Sequence, residues 1–447
     1  MSEEMNRDER REFRRKRRIR NQIIAWLVLI VILAGVFYGG YRGLHVIYNR
    51  FNHEGDVPVQ TVSEDIAQTE SSNEVVATSE PVETVSEDVV EEPPVEEPDP
   101  IREVIASMTL EQKVGGLFFV TPESITGVDV ATRAGDGTRT ALEANPVGGI
   151  VYSSKNVTSA DQFKEMVRKT GEMYAEIYDL GEDDVRSVLL LVQEEGAQNT
   201  IAGSASGVRA QDSAEDIGQS GDNTNAYQAY LEIGSCLNQY GIDVDLAPVC
   251  DVRTEDSFIG KRSFSDDADI AASMVRSAVS GLEDQSILSC LTTFPGQGSL
   301  STDTAKGSAV IDRTLDEMRS FEFLPFISGL EEGADMVMVS HASAEAATGD
   351  SMPCSMSYAM IGEILRGELG FEGVVMTDYL NKAAITSNYS AGEAAVNALQ
   401  AGVDVLLCPA DYAEAYNAVL DAVNNGEIPE ERIEDSLYRI YSMKAGN

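Results

Sequence analysis

Histidine is nearly absent from this 447-residue chain: there are three, His45, His53 and His341, and only the last lies beyond the first hundred residues. Cysteine is sparse and never paired. Cys236, Cys250, Cys290, Cys354 and Cys408 sit singly within or beside apolar stretches, with no C-x-x-C, so they read as small core residues rather than a disulfide frame or a metal site. Basic residues are few, 33 Lys and Arg against 75 Asp and Glu, for a formal net charge of −42. That balance repels a phosphate backbone and excludes nucleic acid as a partner. It also keeps a globular part off anionic lipid. No strand-like run is followed by G-x-G-x-x-G, and no metal-ligand spacing is present, so no cofactor is expected.

What is present begins with a basic tail, residues 1–22, containing Arg14, Arg15, Lys16, Arg17 and Arg18. Residues 23–41 (IIAWLVLIVILAGVFYGGY) then run without a charge, about the length of a bilayer-spanning helix. Trp26 near one end and Tyr38 and Tyr41 at the other suit an interfacial belt. The positive flank belongs on the cytoplasmic side, so the remainder is expected outside the cell, behind a single-pass plasma-membrane anchor. A cleaved signal peptide is the competing reading; the long apolar run and the absence of an A-x-A-like site disfavour it. Residues 42–100 are expected to be a disordered linker. From Gly55 to Pro100 there is no Lys or Arg, and the stretch ends EEPPVEEPDP. Such a segment buries too little to offset its ordering entropy. Extended, it spans on the order of 100 Å, whether as reach into a cell-wall layer or as a plain spacer.

Residues 101–447 alternate short apolar runs with amphipathic ones. The expected strands are 115–120, 148–153, 187–192, 243–249, 286–291, 335–340, 373–378 and 402–407. They are hydrophobic throughout rather than alternating, the pattern of parallel strands covered on both faces. Helical patterns lie between them, as at 160–178 and 314–333, with one more near Pro429–Met443. Eight βα units imply a closed (β/α)₈ TIM barrel, with an open doubly wound sheet as the alternative. In a barrel the chemistry sits on loops after strand C-termini. Those positions hold Gln193, Glu194 and Glu195 after strand 3, Asp251 and Arg253 after strand 4, and Thr292 and Thr293 after strand 5. His341 follows strand 6, Asp378 ends strand 7 and Asp411 follows strand 8. Asp251 and Asp411 read as loop-capping carboxylates, and Arg253 as a solvated charge.

Several of these stretches resemble family 3 glycoside hydrolases, in particular their single-domain β-N-acetylhexosaminidases. The segment LRGELGFEGVVMTDYL (365–380) is similar to the family segment ending in its nucleophilic Asp, which places Asp378 on that role. GIDVDLAPVCDV (241–252) and IGKRSFSDD (259–267) resemble the A-P-V-x-D-V and G-x-R-S-F elements, with Arg262 on a sugar-binding arginine. VGGIVYSSKN (147–156), MVSHA (338–342) and AGVDVLLCPAD (401–411) fit in order. Lys155 and Asn156, in the first of these, read as structural. The resemblance implies retaining hydrolysis of N-acetylglucosamine-containing wall glycans.

The chain departs from the family at its acid/base loop. The pattern K-H-F-P-G-H-G followed by D-S-H reads here Thr292-Thr293-Phe294-Pro295-Gly296-Gln297-Gly298, then Asp303-Thr304-Ala305. Ala305 thus replaces the acid/base His, while Asp303 remains from the dyad. Thr292 and Thr293 stand where a Lys and a His grip sugar hydroxyls, and D-Q-E-G-G becomes Gln193-Glu194-Glu195-Gly196-Ala197. Substrate contacts are then expected from Arg262, His341, Gln193, Thr292 and Thr293, although a salt bridge from Arg262 to Asp251 or Asp378 competes with sugar binding. His341 could equally orient a neighbour, and Glu195 could shape the site floor. Asp303, Glu194 or Glu195 could take over as acid if burial raises its pKa. Two readings stay open: an active tethered glycosidase, and a catalytically impaired barrel that binds glycan or a protein partner. Oligomeric state is not legible.

Overall fold

Eight short parallel strands, each followed by a helix, wind in chain order around one apolar core. The computed structural model describes residues 99–181, 184–197, 200–201 and 211–446. The basic tail, the apolar segment 23–41 and almost all of the acidic linker lie outside these residues. Among the described residues, no helix is long and apolar enough to cross a membrane. Residues Pro98–Asn447 form one compact unit.

The strands are β1 (Phe118–Val120), β2 (Gly149–Val151), β3 (Leu189–Val192), β4 (Val244–Asp245), β5 (Leu288–Phe294), β6 (Met336–Val339), β7 (Val374–Thr377) and β8 (Leu406–Leu407). Their order is β7-β6-β5-β4-β3-β2-β1-β8, and every pairing is parallel. A parallel bridge between Met376 and Val405 closes β7 onto β8. The eight expected runs all carry strands, buried on both faces as their unbroken hydrophobicity requires.

Except for β5, the strands are shorter than the apolar runs. In the fourth, Pro248 has no N–H to give the ladder, and pairing resumes only at the bridge Val249–Thr292. The helix expected over 314–333 is two, Leu315–Ser320 and Phe323–Glu332. Pro325 explains the break: in a continuous helix its ring would collide with the carbonyl four residues back, that of Phe321, and Phe321 leaves helical geometry at φ −140°, ψ −74°. By contrast, Ala160–Tyr178 forms as its pattern predicts. Ser159 and Gln162 close a capping box at its start, and Phe163, Met166, Val167, Thr170 and Tyr174 are buried along one face.

At the strand N-termini, aspartates fasten neighbouring strands. Asp243 accepts the Leu190 N–H at 2.8 Å, Asp335 the Ser289 N–H at 3.0 Å and Asp404 the Val375 N–H at 3.0 Å. Asp404 has no solvent exposure and is ringed by Arg366 at 2.6 Å, Arg439 at 3.1 Å and Arg432 at 3.6 Å, with the Ser436 hydroxyl at 2.7 Å. The last helix, Glu430–Ala445, is locked to the barrel floor through this cluster. The opposite, C-terminal end of the strands is left to the loops that carry polar side chains.

Candidate active site

A cavity of about 150 Å³ opens among the C-terminal loops, lined by residues from β3 to β7. Gln193 comes from β3, Phe258 and Arg262 from the loop after β4, Met338 from β6, and Asp378, Tyr379 and Lys382 from the end of β7. The β5 end and its loop contribute Thr292, Thr293, Gln297 and Asp303. Adjacent residues of a regular strand face opposite ways. Thr292 and Thr293 both reach the cavity because the β5–β6 register slips between Leu291 and Phe294, and such a bulge re-aims side chains.

The loop after β5 is pinned from both sides. Its carbonyls at Gly298 and Leu300 accept from Thr254 and Phe258, each at 2.9 Å, and Thr304 O accepts the Ala384 N–H at 3.0 Å. A Cβ at Gly298 would lie 1.9 Å from the Val252 oxygen, so only glycine allows this approach. The result holds Asp303 over the cavity, its Oδ1 accepting the Ala305 N–H at 2.8 Å. Ala305 itself is exposed and does not line the cavity.

Asp378 is buried, 1 % exposed. Its Oδ1 accepts the Tyr379 N–H at 2.7 Å and its Oδ2 accepts from Lys382 Nζ at 2.7 Å. Burial pushes this carboxyl up, but the Lys382 ammonium and the backbone N–H outweigh it and hold the group below the ordinary Asp value. A turn places the lysine: the Lys382 N–H donates to Tyr379 O at 3.0 Å, folding its side chain back onto Asp378.

Arg262 is engaged by Glu195. Its Nε donates to Oε2 at 2.6 Å and a terminal nitrogen donates to Oε1 at 2.7 Å, while Gln193 Nε2 adds 2.6 Å to Oε1. The expected salt bridge to Asp251 or Asp378 is therefore replaced by a fork-to-fork pair with Glu195, the geometry that best satisfies a guanidinium. Burial lowers and Glu195 raises the Arg262 pKa, with a net rise. Glu194 is committed elsewhere: it accepts the N–H groups of Gly196 at 2.9 Å and Ile201 at 2.7 Å, and the Thr200 hydroxyl at 3.0 Å. Asp251 supports the β5 loop from below, its Oδ1 accepting the Gln297 N–H, and burial pushes its carboxyl up to about 7.

His341 lies behind the cavity rather than on its wall. Its Nε2 is 3.0 Å from Tyr379 O and its Nδ1 2.8 Å from Ser355 Oγ. A carbonyl only accepts, so Nε2 carries the proton and Nδ1 accepts from the serine. Burial lowers its pKa, in keeping with a neutral ring. Asp411 caps the helix Tyr412–Asn424 through the Glu414 N–H at 3.0 Å. Asn156 and Lys155 tie β2 to Glu123 of the β1 loop, at 2.7 and 3.5 Å. Arg253 is not a free charge: it pairs with Glu215 at 2.6 Å, joining the β4 loop to the helix Ala214–Gln219.

The structure thus brings Asp378, Asp303, Arg262, Gln193, Thr292 and Thr293 to one cavity and leaves His341 out. It adds Lys382, Gln297, Phe258, Met338 and Tyr379, which sequence reasoning did not single out. An opposite charge four residues after Asp378 was the visible signal for Lys382. Among the described residues, no cluster of His, Cys, Asp and Glu is arranged to hold a metal ion.

Residues 109–443 match the glycosyl hydrolase family 3 N-terminal domain. A β-hexosaminidase of Xanthomonas oryzae pv. oryzae is 32% identical over 290 residues, covering 62% of this chain and 81% of that protein. β-Hexosaminidase A of Pseudoalteromonas piscicida is 32% identical over 234 residues, 47% of this chain and 39% of that protein. The chain likewise spans 53% of a Stenotrophomonas maltophilia β-hexosaminidase, to which it is 39% identical over 184 residues. Among solved structures, a family 3 β-N-acetylglucosaminidase from Paenibacillus superposes with a TM-score of 0.70 at 30% identity, covering 76% of this chain and 63% of that one. A β-N-acetylhexosaminidase from Beutenbergia cavernae gives 0.66 at 26% identity, covering 76% and 99%. With its motifs in order, its parallel barrel and its carboxylates gathered at the strand C-termini, the chain belongs to glycosyl hydrolase family 3.

Proposed function

We propose that this protein hydrolyses β-N-acetylglucosaminide linkages of wall glycans by a retaining mechanism, with Asp378 as nucleophile and Asp303 as general acid and base. The observation that carries this reading is the pair of carboxyl-bearing side chains on the wall of one cavity, Asp378 just past the end of β7 and Asp303 on the loop after β5. A retaining glycosidase needs two such groups, one to form the glycosyl ester and one to protonate the leaving oxygen and then activate water. Of the three candidate acids, Glu194 spends both oxygens on its own loop, and Glu195 is forked by Arg262. Asp303 faces the cavity with a single backbone N–H on one oxygen. Arg262, Gln193, Thr292 and Thr293 supply contacts for sugar hydroxyls. The β-hexosaminidase names of the relatives support an N-acetylated hexose as substrate. The charge-free run 23–41, behind a basic flank, supports a membrane-anchored barrel facing outward.

The full chain, assayed on an aryl β-N-acetylglucosaminide and on an N-acetylglucosamine disaccharide beside Asp378→Ala, tests this. Turnover is expected and should vanish in the variant. Asp303→Asn should slow the disaccharide by roughly 10²–10⁴ and the aryl substrate far less, because an aryloxide leaves without a proton. No turnover above Asp378→Ala on either substrate would end the hydrolytic reading in favour of a binding barrel.

A further inference from the structure

Lys382 is a cavity side chain that the double-displacement chemistry does not require. Its ammonium lies 2.7 Å from Asp378 Oδ2, with the carboxylate 2% and the lysine 24% exposed. The pair is thus largely withdrawn from water. The other charged and titratable groups around Asp378 are engaged elsewhere. His341 and Tyr379 meet through the ring and the main-chain carbonyl, Arg262 is held by Glu195, and Asp251 sits beneath Gln297. Asp303 shares the cavity wall. Among the described residues, Lys382 is the cation in direct contact with Asp378.

This placement acts against the reaction's own charge movement. When Asp378 attacks, a bond forms between its oxygen and the anomeric carbon, and the bond to the leaving oxygen breaks with its electron pair. The carboxylate loses its negative charge while positive charge builds on the sugar ring. An ammonium bonded to that carboxylate stabilises the ionised starting state and repels the developing cation. When water later displaces the ester and gives up a proton, the carboxylate returns beside its cation. The contact therefore favours free carboxylate over glycosyl ester.

We propose that Lys382 is a positioning residue that acts as a brake on Asp378, holding the carboxylate ionised and slowing formation of the glycosyl ester. The inference rests on Asp378 being the nucleophile, as proposed above. It implies that turnover is fastest when the ammonium is drawn aside.

The test uses the full chain with Lys382→Gln, which keeps a donor but no charge, and Lys382→Arg, which keeps the charge. Carbon NMR of labelled aspartate follows the Asp378 titration, its signal identified by loss in Asp378→Asn. Rapid quench with intact mass measurement follows the ester formed from an aryl β-N-acetylglucosaminide. In Lys382→Gln the Asp378 midpoint should rise and the ester should form roughly tenfold faster or more and accumulate. Lys382→Arg should stay close to wild type in both. An unmoved midpoint in Lys382→Gln overturns the proposal whatever the turnover. A raised midpoint with ester formation no faster than a reacting wild type overturns the brake alone. A raised midpoint with no ester in any of the proteins instead overturns Asp378 as nucleophile, and the brake falls with it.

Discussion

The main-chain N–H of Gln297 donates to Asp251 Oδ1 at 2.5 Å, so the loop after β5 rests on a buried carboxyl from the loop after β4. The other oxygen of Asp251 is buried without a hydrogen-bond partner. Burial raises the folded carboxyl to about 7 from an ordinary value of 3.8. A raised folded pKa means this group's contribution to stability is complete below about pH 4. It is then lost as pH rises to about 7, at up to about 1.4 kcal/mol per unit. Asp251→Asn should remove that loss. Thermal unfolding of both proteins from pH 4 to 8 checks it: the variant should gain on wild type with rising pH. A constant difference across the range would contradict the buried carboxyl's role. Asp243, also raised, to about 6, is present in both proteins and cancels in the comparison.

Arg262 and Glu195 should behave as one unit. Arg262→Ala leaves Glu195, whose side chain is 2% exposed, with only Gln193 for company. The expected cost is about 3 kcal/mol, the lower part of the range for breaking a buried pair because the arginine is 25% exposed. Adding Glu195→Gln should recover part of it. Urea unfolding of the two single variants and the double variant measures the coupling; strict additivity would mean the fork contributes nothing. The KM for an aryl substrate should rise in all three.

The barrel floor gives a sharper stability prediction. Asp404→Asn keeps the shape of a fully buried side chain but leaves Arg366, Arg432 and Arg439 facing one another. A loss of about 3–5 kcal/mol is expected. Arg439→Ala removes the most exposed partner, at 34%, and should cost less than about 1.5 kcal/mol. Urea midpoints would rank them, and equal losses would argue against Asp404 as the hub.

Strand positions were legible because a parallel barrel buries each strand on both faces, and runs such as SVLLLV record that directly. Element ends were not, since Pro248 interrupts pairing inside an apolar run and Pro325 divides a helix whose hydrophobic pattern continues across the break. In the site, Asp378, Arg262 and Asp303 were legible from motif order. The partner of Arg262 was not, because Glu195 is 67 residues away and only the folded barrel chooses among the available carboxylates. Lys382 escaped notice because its role depends on a turn, not on a helical i,i+4 face. Gln297 reaches the cavity only because Gly296, at φ +124°, and Gly298 let the loop double back against Val252.

The closure of β7 onto β8 has its own consequence. One bridge pair joins them, with main-chain bonds from the Thr377 N–H to Val405 O at 3.0 Å and from the Asp404 and Val405 N–H groups to Val375 O at 2.7 and 3.1 Å. Two side chains reinforce it: Asp404 takes the Val375 N–H, and the Thr377 hydroxyl takes the Leu407 N–H at 3.1 Å. The strand that delivers Asp378 is therefore buttoned to its neighbour by particular side chains in addition to the generic backbone zip. A polypeptide split in the connection between these strands would yield two fragments whose reunion restores those two buttons together with the main-chain bonds beside them. Reassembly of the halves would then report on the integrity of the carboxylate's own mounting.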